Sequence, residues 1–338
     1  MLNVWIQFSI GAIIIILAGF KLSKYGDIIA EKTGIGRAWV GMIFLAGATA
    51  LPELFTTCSS VVIEKAPNLA AGNVLGSIIF NLFIIAILDI IQGHGPILRK
   101  VNLGLILLGA ISAILSVVAI LGMLLKDAMS VFSIGPASFL IIGIYLVGMR
   151  LSFRYQYRNS DEHHSDESQD REVAEEKKYE NVSVAKTIFG YLFCAAAIFG
   201  GSIWVAHTAK LIAVGTGLGE TFVGSLFLAI VTSLPELMAT IGAVKMGLFD
   251  MAIGNIFGSN MLNIVLIPIS DVLYRTGSIY AYLSSTHILT AVMGILLTMI
   301  VIVGIIYRSK KSFLKLGWDA IAIIMVYIAS TYMIFRLR

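Results

Sequence analysis

Residues 33–54 read TGIGRAWVGMIFLAGATALPEL and residues 216–237 read TGLGETFVGSLFLAIVTSLPEL, so the chain writes one segment twice at an offset of 183. Further on, GNVLGSIIFN at 72–81 returns as GNIFGSNMLN at 254–263, and Asp89 returns as Asp271, both at offset 182. One residue is lost between the blocks, as expected for a short loop. Each first block runs through an apolar stretch and ends on Leu-Pro-Glu. An acid following a proline inside an apolar helix, and doing so twice, is the feature from which the rest of the reading proceeds.

The surroundings of these copies are apolar throughout. Hydrophobic residues make up 58% of the 338 and charged residues 13%, with a mean hydropathy of +0.92. A soluble domain carries roughly 25% charged residues. The apolar runs are about twenty residues long, the length of a helix crossing a ~30 Å hydrocarbon layer, and the alternating segments of a membrane barrel are absent. The expectation is an all-α, multi-pass integral membrane protein with ten transmembrane helices, at about 4–23, 38–63, 69–91, 102–124, 131–150, 186–208, 220–244, 251–273, 284–307 and 318–335. One polar connection, 151–185, contains the acidic run SDEHHSDESQDREVAEEKKYE. It holds too few apolar residues to bury a core and reads as a flexible tether. His163 and His164 are too isolated to argue for a metal site. Cys58 and Cys194 lie in apolar runs with no CxxC spacing and read as small buried residues. The N-terminus has no basic leader and reads as a first span rather than a removable signal.

Span counting turns the repeat into geometry. The first block lies on span two and the second on span seven. An odd number of spans separates them, so the copies have opposite orientations in the bilayer. The expected organisation is 5+5: residues 1–150 as the first inverted repeat, 151–185 as an acidic cytoplasmic loop and 186–338 as the second repeat. Eighteen of the 24 Lys and Arg fall on one set of connections and six on the other. The richer side is the cytoplasmic one, which puts both termini outside and the long loop inside. Inverted repeats with interrupted helices in matching positions point to a transporter whose site lies at the repeat interface.

The chemistry of the motif agrees. Proline removes a donor and clashes with the carbonyl four residues earlier, so Pro52 disturbs Ala48 and Pro235 disturbs Val231. The bilayer interior offers no water to freed carbonyls, and a bound cation is one partner they can take. Beside each proline stand a hydroxyl and a carboxylate: Thr49 with Glu53, and Thr232 and Ser233 with Glu236. Ser77 and Asn81 share one helix face, as do Ser259 and Asn263. Hard cations such as Ca²⁺ and Na⁺ take oxygen ligands of these kinds. Gly72-x-x-x-Gly76 and Gly254-x-x-x-Gly258 permit close helix packing and are expected to bring spans three and eight against the broken helices. An acid in mid-span costs roughly 2.5–3.5 kcal/mol, so two duplicated, proline-flanked acids argue for function. Asp89 and Asp271, at span ends, read as solvated or capping residues. TGIG and TGLG read as turns, since no strand or Walker lysine accompanies them.

These residues resemble the Ca²⁺:cation antiporter superfamily, most closely its sodium/calcium exchanger branch, whose duplicated alpha repeats look like the two blocks here. The resemblance implies a secondary antiporter, not an enzyme, that exchanges Ca²⁺ for Na⁺ by alternating access. It implies Glu53 and Glu236 as shared ligands of Ca²⁺ and the competing ions. Thr49 and Thr232 would supply backbone or hydroxyl oxygens. Ser233, Ser77, Ser259 and the carbonyls of Ala46 and Ala229 would form flanking Na⁺ sites, with Asn81 and Asn263 completing the central cluster. The chain departs from the family at Ala50, where many members carry a hydroxyl, and at Asn263, where many carry an aspartate. Two carboxylates still balance a divalent ion, but Na⁺ coordination is weakened and H⁺ becomes a credible counter-ion. The implied motion is a sliding of spans one and six across the remaining bundle. No cofactor, nucleic acid or obligate protein partner is expected, only the transported cations and the lipid bilayer. Short loops favour a prokaryotic plasma membrane. The rival readings are a Ca²⁺/H⁺ exchanger on the same fold, a cation channel, and a non-transporting membrane sensor built on the acidic loop.

Overall fold

The computed structural model describes residues 1–33, 47, 49–93, 95–126, 133–163, 183–308, 312–313 and 316–337. The chain is almost wholly helical. In order come α1 (Leu2–Thr33), α2 (Leu51–Val62), α3 (Pro67–Gln92), α4 (Leu105–Leu125), α5 (Pro136–His163), α6 (Val184–Thr216), α7 (Glu220–Thr232), α8 (Leu234–Lys245), α9 (Phe249–Leu273), α10 (Thr286–Tyr307) and α11 (Trp318–Arg336). Short 3-10 turns at Ile97–Lys100 and Ile279–Tyr282 follow α3 and α9, and a two-residue ribbon, β1 (Ser312–Phe313) against β2 (Leu316–Gly317), precedes α11.

Among the described residues, eight helices are long and apolar enough to cross a membrane, or nine if α7 and α8 form one bent span. The chain is a multi-pass integral membrane protein. The span expected at 38–63 is represented by α2, and its first half falls largely on residues outside the described ones. Three helix ends lie well beyond expectation, one of them that of α6, which runs to Thr216 rather than 208. Helix α5 does not stop at 150 but runs on to His163, so the first part of the polar connection is helical. Helix α1 runs ten residues beyond the expected end, to Thr33. In each place the helix continues past the end expected for the apolar run.

Helix α3 is the axis of the bundle. It packs against α2, α7, α9, α10 and α11, and most of its residues are buried all round. Helices α1 and α6 pack along each other at the periphery and present large apolar side chains outward, including Leu2, Ile6, Ile13 and Leu17 on α1 and Phe189, Leu192 and Phe193 on α6. A helix that is apolar on its outer face and lies at the rim of a bundle is facing hydrocarbon.

The α3–α7 contact depends on glycine. A Cβ added at Gly72 would stand 3.0 Å from Gly224 Cα and 3.0 Å from the Thr221 carbonyl oxygen, and one at Gly76 would collide with the backbone of Ser225. The backbones meet where α7 opens into a π-helical turn at Gly224–Leu228. The glycine pair on span three therefore does bring it against a broken helix. The corresponding expectation for Gly254 and Gly258 concerns residues 34–46, outside the described set.

Asp89 and Asp271 are buried caps rather than solvated ends. Asp89 accepts the backbone N–H groups of Ile97 (2.6 Å) and Gly317 (2.8 Å). Asp271 accepts those of Ile279 (2.7 Å) and Gly135 (2.8 Å) and the hydroxyl of Ser138 (2.6 Å). Residues 89, 97 and 135 become 271, 279 and 317 at the repeat offset of 182, so one latch is built twice. Each carboxylate ties the end of a central helix to the following 3-10 turn and to the start of a helix farther along.

Truncating Asp271 strands three buried donors, and truncating Asp89 strands two. Asp271→Ala is expected to cost about 3 kcal/mol or more and Asp89→Ala somewhat less, read as thermal unfolding midpoints in detergent that fall in that order.

Candidate functional site

The two Leu-Pro-Glu motifs each begin a half-helix. Pro52 and Pro235 stand at the starts of α2 and α8, and the residues before them have nearly the same backbone: Ala50 at φ −80°, ψ −4° and Ser233 at φ −91°, ψ 4°. These values lie in the sparsely populated bridge region, and in the second copy the axis bends by 44°. The break places Glu53 and Glu236 in the first turn of their half-helices, at the positive end of the helix dipole. Both are buried, at 0% and 1% exposure. Neither forms an ion pair among the described residues.

Each carboxylate is met by hydroxyls of the other repeat. Ser233 donates to Glu53 Oε1 at 2.8 Å, and the Thr232 hydroxyl lies beside Glu53 as well. The Thr49 hydroxyl lies beside Glu236, and the two carboxylates are electrostatic neighbours. The second oxygen of each, Oε2, is buried without a hydrogen-bond partner. The arrangement is not fully symmetric, because the position matching Ser233 is Ala50, which has no hydroxyl to offer Glu236. Thr232 Oγ1 shares its hydrogen between Asn73 Oδ1 and the Leu228 carbonyl, each at 3.1 Å. The Ala229 carbonyl accepts the Ser233 N–H at 3.1 Å and faces Thr232 Oγ1 at 3.4 Å. Ala46 lies outside the described residues.

The remaining expected ligands line the facing helices. Ser77 and Asn81 on α3, and Ser259 and Asn263 on α9, are all buried. Ser77 Oγ, Asn81 Oδ1, Ser259 Oγ and both polar atoms of the Asn263 amide have no partner. Buried polar atoms are almost always hydrogen-bonded, so these unpartnered side chains, on two helices that pack against the half-helices of Glu53 and Glu236, stand apart from the other buried polar groups. Two carboxylates with neutral oxygens suit a hard cation. Among the described residues no third acidic, His or Cys side chain completes a denser metal cluster.

Two sets of buried side chains were not singled out from sequence. Asn73 and Asn255 sit four residues before Ser77 and Ser259, on the same helix faces, inside the duplicated block; their signal was the i, i+4, i+8 stripe that they begin. Asn260 takes the position of Ile78 in the repeat and so breaks it. It accepts from Asn81 Nδ2 at 3.1 Å and donates to the Ile78 carbonyl at 3.4 Å, and it is fully buried. That contact leaves Asn81 Oδ1 as the free end of its amide.

Residues 3–154 and 186–336 match the family model described as sodium/calcium exchanger protein, which spans both halves and leaves out the acidic connection. The inner membrane protein YrbG of Escherichia coli (strain K12) is 29% identical over 263 residues, covering 76% of each chain. The crystal structure of the H⁺/Ca²⁺ exchanger CAX superposes with a TM-score of 0.69 at 12% identity, over 98% of this chain and 85% of that one. The sodium-calcium exchanger NCX_Mj, in a crystal soaked with Na⁺ and Sr²⁺, superposes with a TM-score of 0.60 at 19% identity, over 97% and 98%. At these identities the two solved structures establish a shared fold.

Replacing Asn260 by the residue of the other repeat, Asn260→Ile, leaves the Asn81 amide N–H unsatisfied in the core. A loss of about 1–3 kcal/mol is expected, read as a lower unfolding midpoint in detergent, and Asn81→Ala in the same chain should remove most of the difference.

Proposed function

We propose a specific cation exchange for this chain, which belongs to the sodium/calcium exchanger protein family of membrane transporters: it exports or imports Ca²⁺ against Na⁺ by alternating access at Glu53 and Glu236. The observation that carries this reading is the pair of buried carboxylates, one from each half of the chain, with hydroxyls of the opposite half against each. Their outer oxygens have no protein partner.

The coupling follows from charge. Two carboxylates desolvated together repel, and the cost of crossing a low-dielectric layer with both ionised and empty is prohibitive. A divalent ion cancels both charges, and so do monovalent ions bound in its place. The site therefore changes sides only when loaded, which makes the movement of one ion conditional on the other. Glu53 and Glu236 bridge Ca²⁺. Thr49, Thr232, Asn81 and Asn263 contribute neutral oxygens, and Ser77, Ser233, Ser259 and the carbonyls of Ala46 and Ala229 serve the flanking Na⁺ positions. No resident cofactor takes part.

The architecture in this reading is ten spans in two inverted five-helix repeats, 1–150 and 186–338, joined by the 151–185 connection on the cytoplasmic side, with both termini outside. The peripheral pair α1 and α6 slides across the rest.

A second reading, Ca²⁺ exchange against H⁺, is favoured by one feature. Ala50 offers no hydroxyl where Ser233 does, and Asn263 is neutral, so a flanking Na⁺ position in the first repeat is short of a ligand while the carboxylates can still take protons.

Flux of ⁴⁵Ca²⁺ into proteoliposomes tests both. Glu53→Gln and Glu236→Gln should each raise the Ca²⁺ level for half-maximal uptake by on the order of tenfold or more and lower the maximal rate; unaltered flux in both variants excludes the site. With Na⁺ and pH gradients imposed separately, Na⁺-driven uptake supports the first reading and pH-driven uptake with no Na⁺ response the second.

A further inference from the structure

The two halves of the chain differ in what a duplicated asparagine holds. Asn73 on α3 donates through Nδ2 to Thr57 Oγ1 on α2 at 3.0 Å and accepts the Thr232 hydroxyl of α7 at Oδ1, at 3.1 Å. It ties the half-helix that carries Glu53 to the hydroxyl-bearing end of the opposite repeat. All three members recur at the repeat offsets: Thr57 as Thr240, Thr232 as Thr49 and Asn73 as Asn255. The second clamp is not made. Asn255 is 3% exposed, and neither its Nδ2 nor its Oδ1 has a hydrogen-bond partner. Thr240 instead turns its hydroxyl back onto the Glu236 and Leu237 carbonyls of its own helix.

The clamps lie toward opposite membrane faces. Helix α2 runs from Glu53 to the turn at Glu64, and α8 runs from Glu236 to the turn at Gly247. Five spans lie between those turns, namely α3, α4, α5, α6 and the bent pair α7 with α8, so an odd number of crossings separates them. The made clamp lies beside a close backbone approach, where Gly72, next to Asn73, meets Thr221 and Gly224. On the face of Glu64 the helices are tied; on the face of Gly247 a buried amide is left unbonded, which is costly.

We propose that Asn73 and Asn255 are paired positioning residues that take turns. Asn73, acting through Thr57 and Thr232, holds the Glu64 face shut while Asn255 is released. In the opposite state Asn255 takes Thr240 and Thr49, and Asn73 lets go. This rests on the alternating-access reading above. Exchanging one three-residue clamp for its copy keeps the number of buried hydrogen bonds nearly constant, so the two states stay close in energy and bound ions can move the balance between them.

Deuterium uptake at backbone amides, followed by mass spectrometry on the full chain in detergent without Ca²⁺, tests the pair. Asn73→Ala should speed uptake across 51–62 by roughly tenfold, the shift expected from two lost hydrogen bonds, and slow it across 234–245. Asn255→Ala should do the reverse. A residue that merely stabilised its own helix would not slow the remote half-helix, so the slowing supports the pair. Both variants moving both segments the same way, or neither slowing the far one, overturns it. If Asn73→Ala does not fold, Asn255→Ala decides alone, since that side chain makes no hydrogen bond in this state. Ca²⁺ uptake by the unaltered protein in liposomes is measured alongside. Its absence removes the exchange reading, whereas normal uptake with an unmoved far half-helix removes only the clamp pair.

Discussion

Two carboxylates that have lost their water and lie near one another in a membrane bundle cannot be satisfied by packing. Each needs hydrogen-bond donors, and the pair needs positive charge. The fold answers the first need by crossing the repeats: Ser233 and Thr232 of one half serve Glu53, and Thr49 of the other serves Glu236. Among the described residues it supplies no ion-pair partner for the second. The proline breaks, the glycine contact between α3 and α7 and the orphaned oxygens on α3 and α9 all follow from that unmet need. The breaks place the acids in the first turns of their half-helices, the glycines let the facing helix approach, and in the proposed exchange the orphans complete an oxygen shell.

Elsewhere the bundle treats buried acids differently, which makes the contrast informative. Asp89 and Asp271 are as buried as the glutamates, yet every acceptor position described for them is filled by backbone N–H groups or the Ser138 hydroxyl. Saturated by the protein, they act as latches. Glu53 and Glu236 each keep an oxygen without a partner. Burial alone does not separate the two pairs of acids; the count of unfilled acceptor positions does.

In the proposed alternating-access cycle, the repeat is what lets one chain hold two states. A protein built from two copies of one unit in opposite orientation has two equivalent ways to be asymmetric. The bonds made by Asn73 and left unmade by Asn255 are one of those ways. The places where the copies differ in sequence, Ala50 against Ser233 and Ile78 against Asn260, keep the two states from being identical and so allow a preferred one.

Much of this was legible before any coordinates. Hydropathy placed most span boundaries within a few residues of the helices, because a twenty-residue apolar run has one stable form in hydrocarbon. The offsets of 183 and 182 identified the duplicated acids and their hydroxyl neighbours, because symmetry-related residues keep their spacing along the chain. That Asp89 and Asp271 cap rather than face solvent was open between those two options, since their partners Gly317 and Gly135 lie 228 and 136 residues away. What tertiary structure alone decided is which donor meets which acceptor across the repeats: Ser233 to Glu53 over 180 residues, Thr232 to Asn73 over 159, Asn81 to Asn260 over 179. Local sequence determines where a helix breaks and which side chains share its face. The pairing of those faces depends on how the two copies lean on each other, and a hydrogen bond of about 3 Å is made or lost by a shift too small for any periodicity to record.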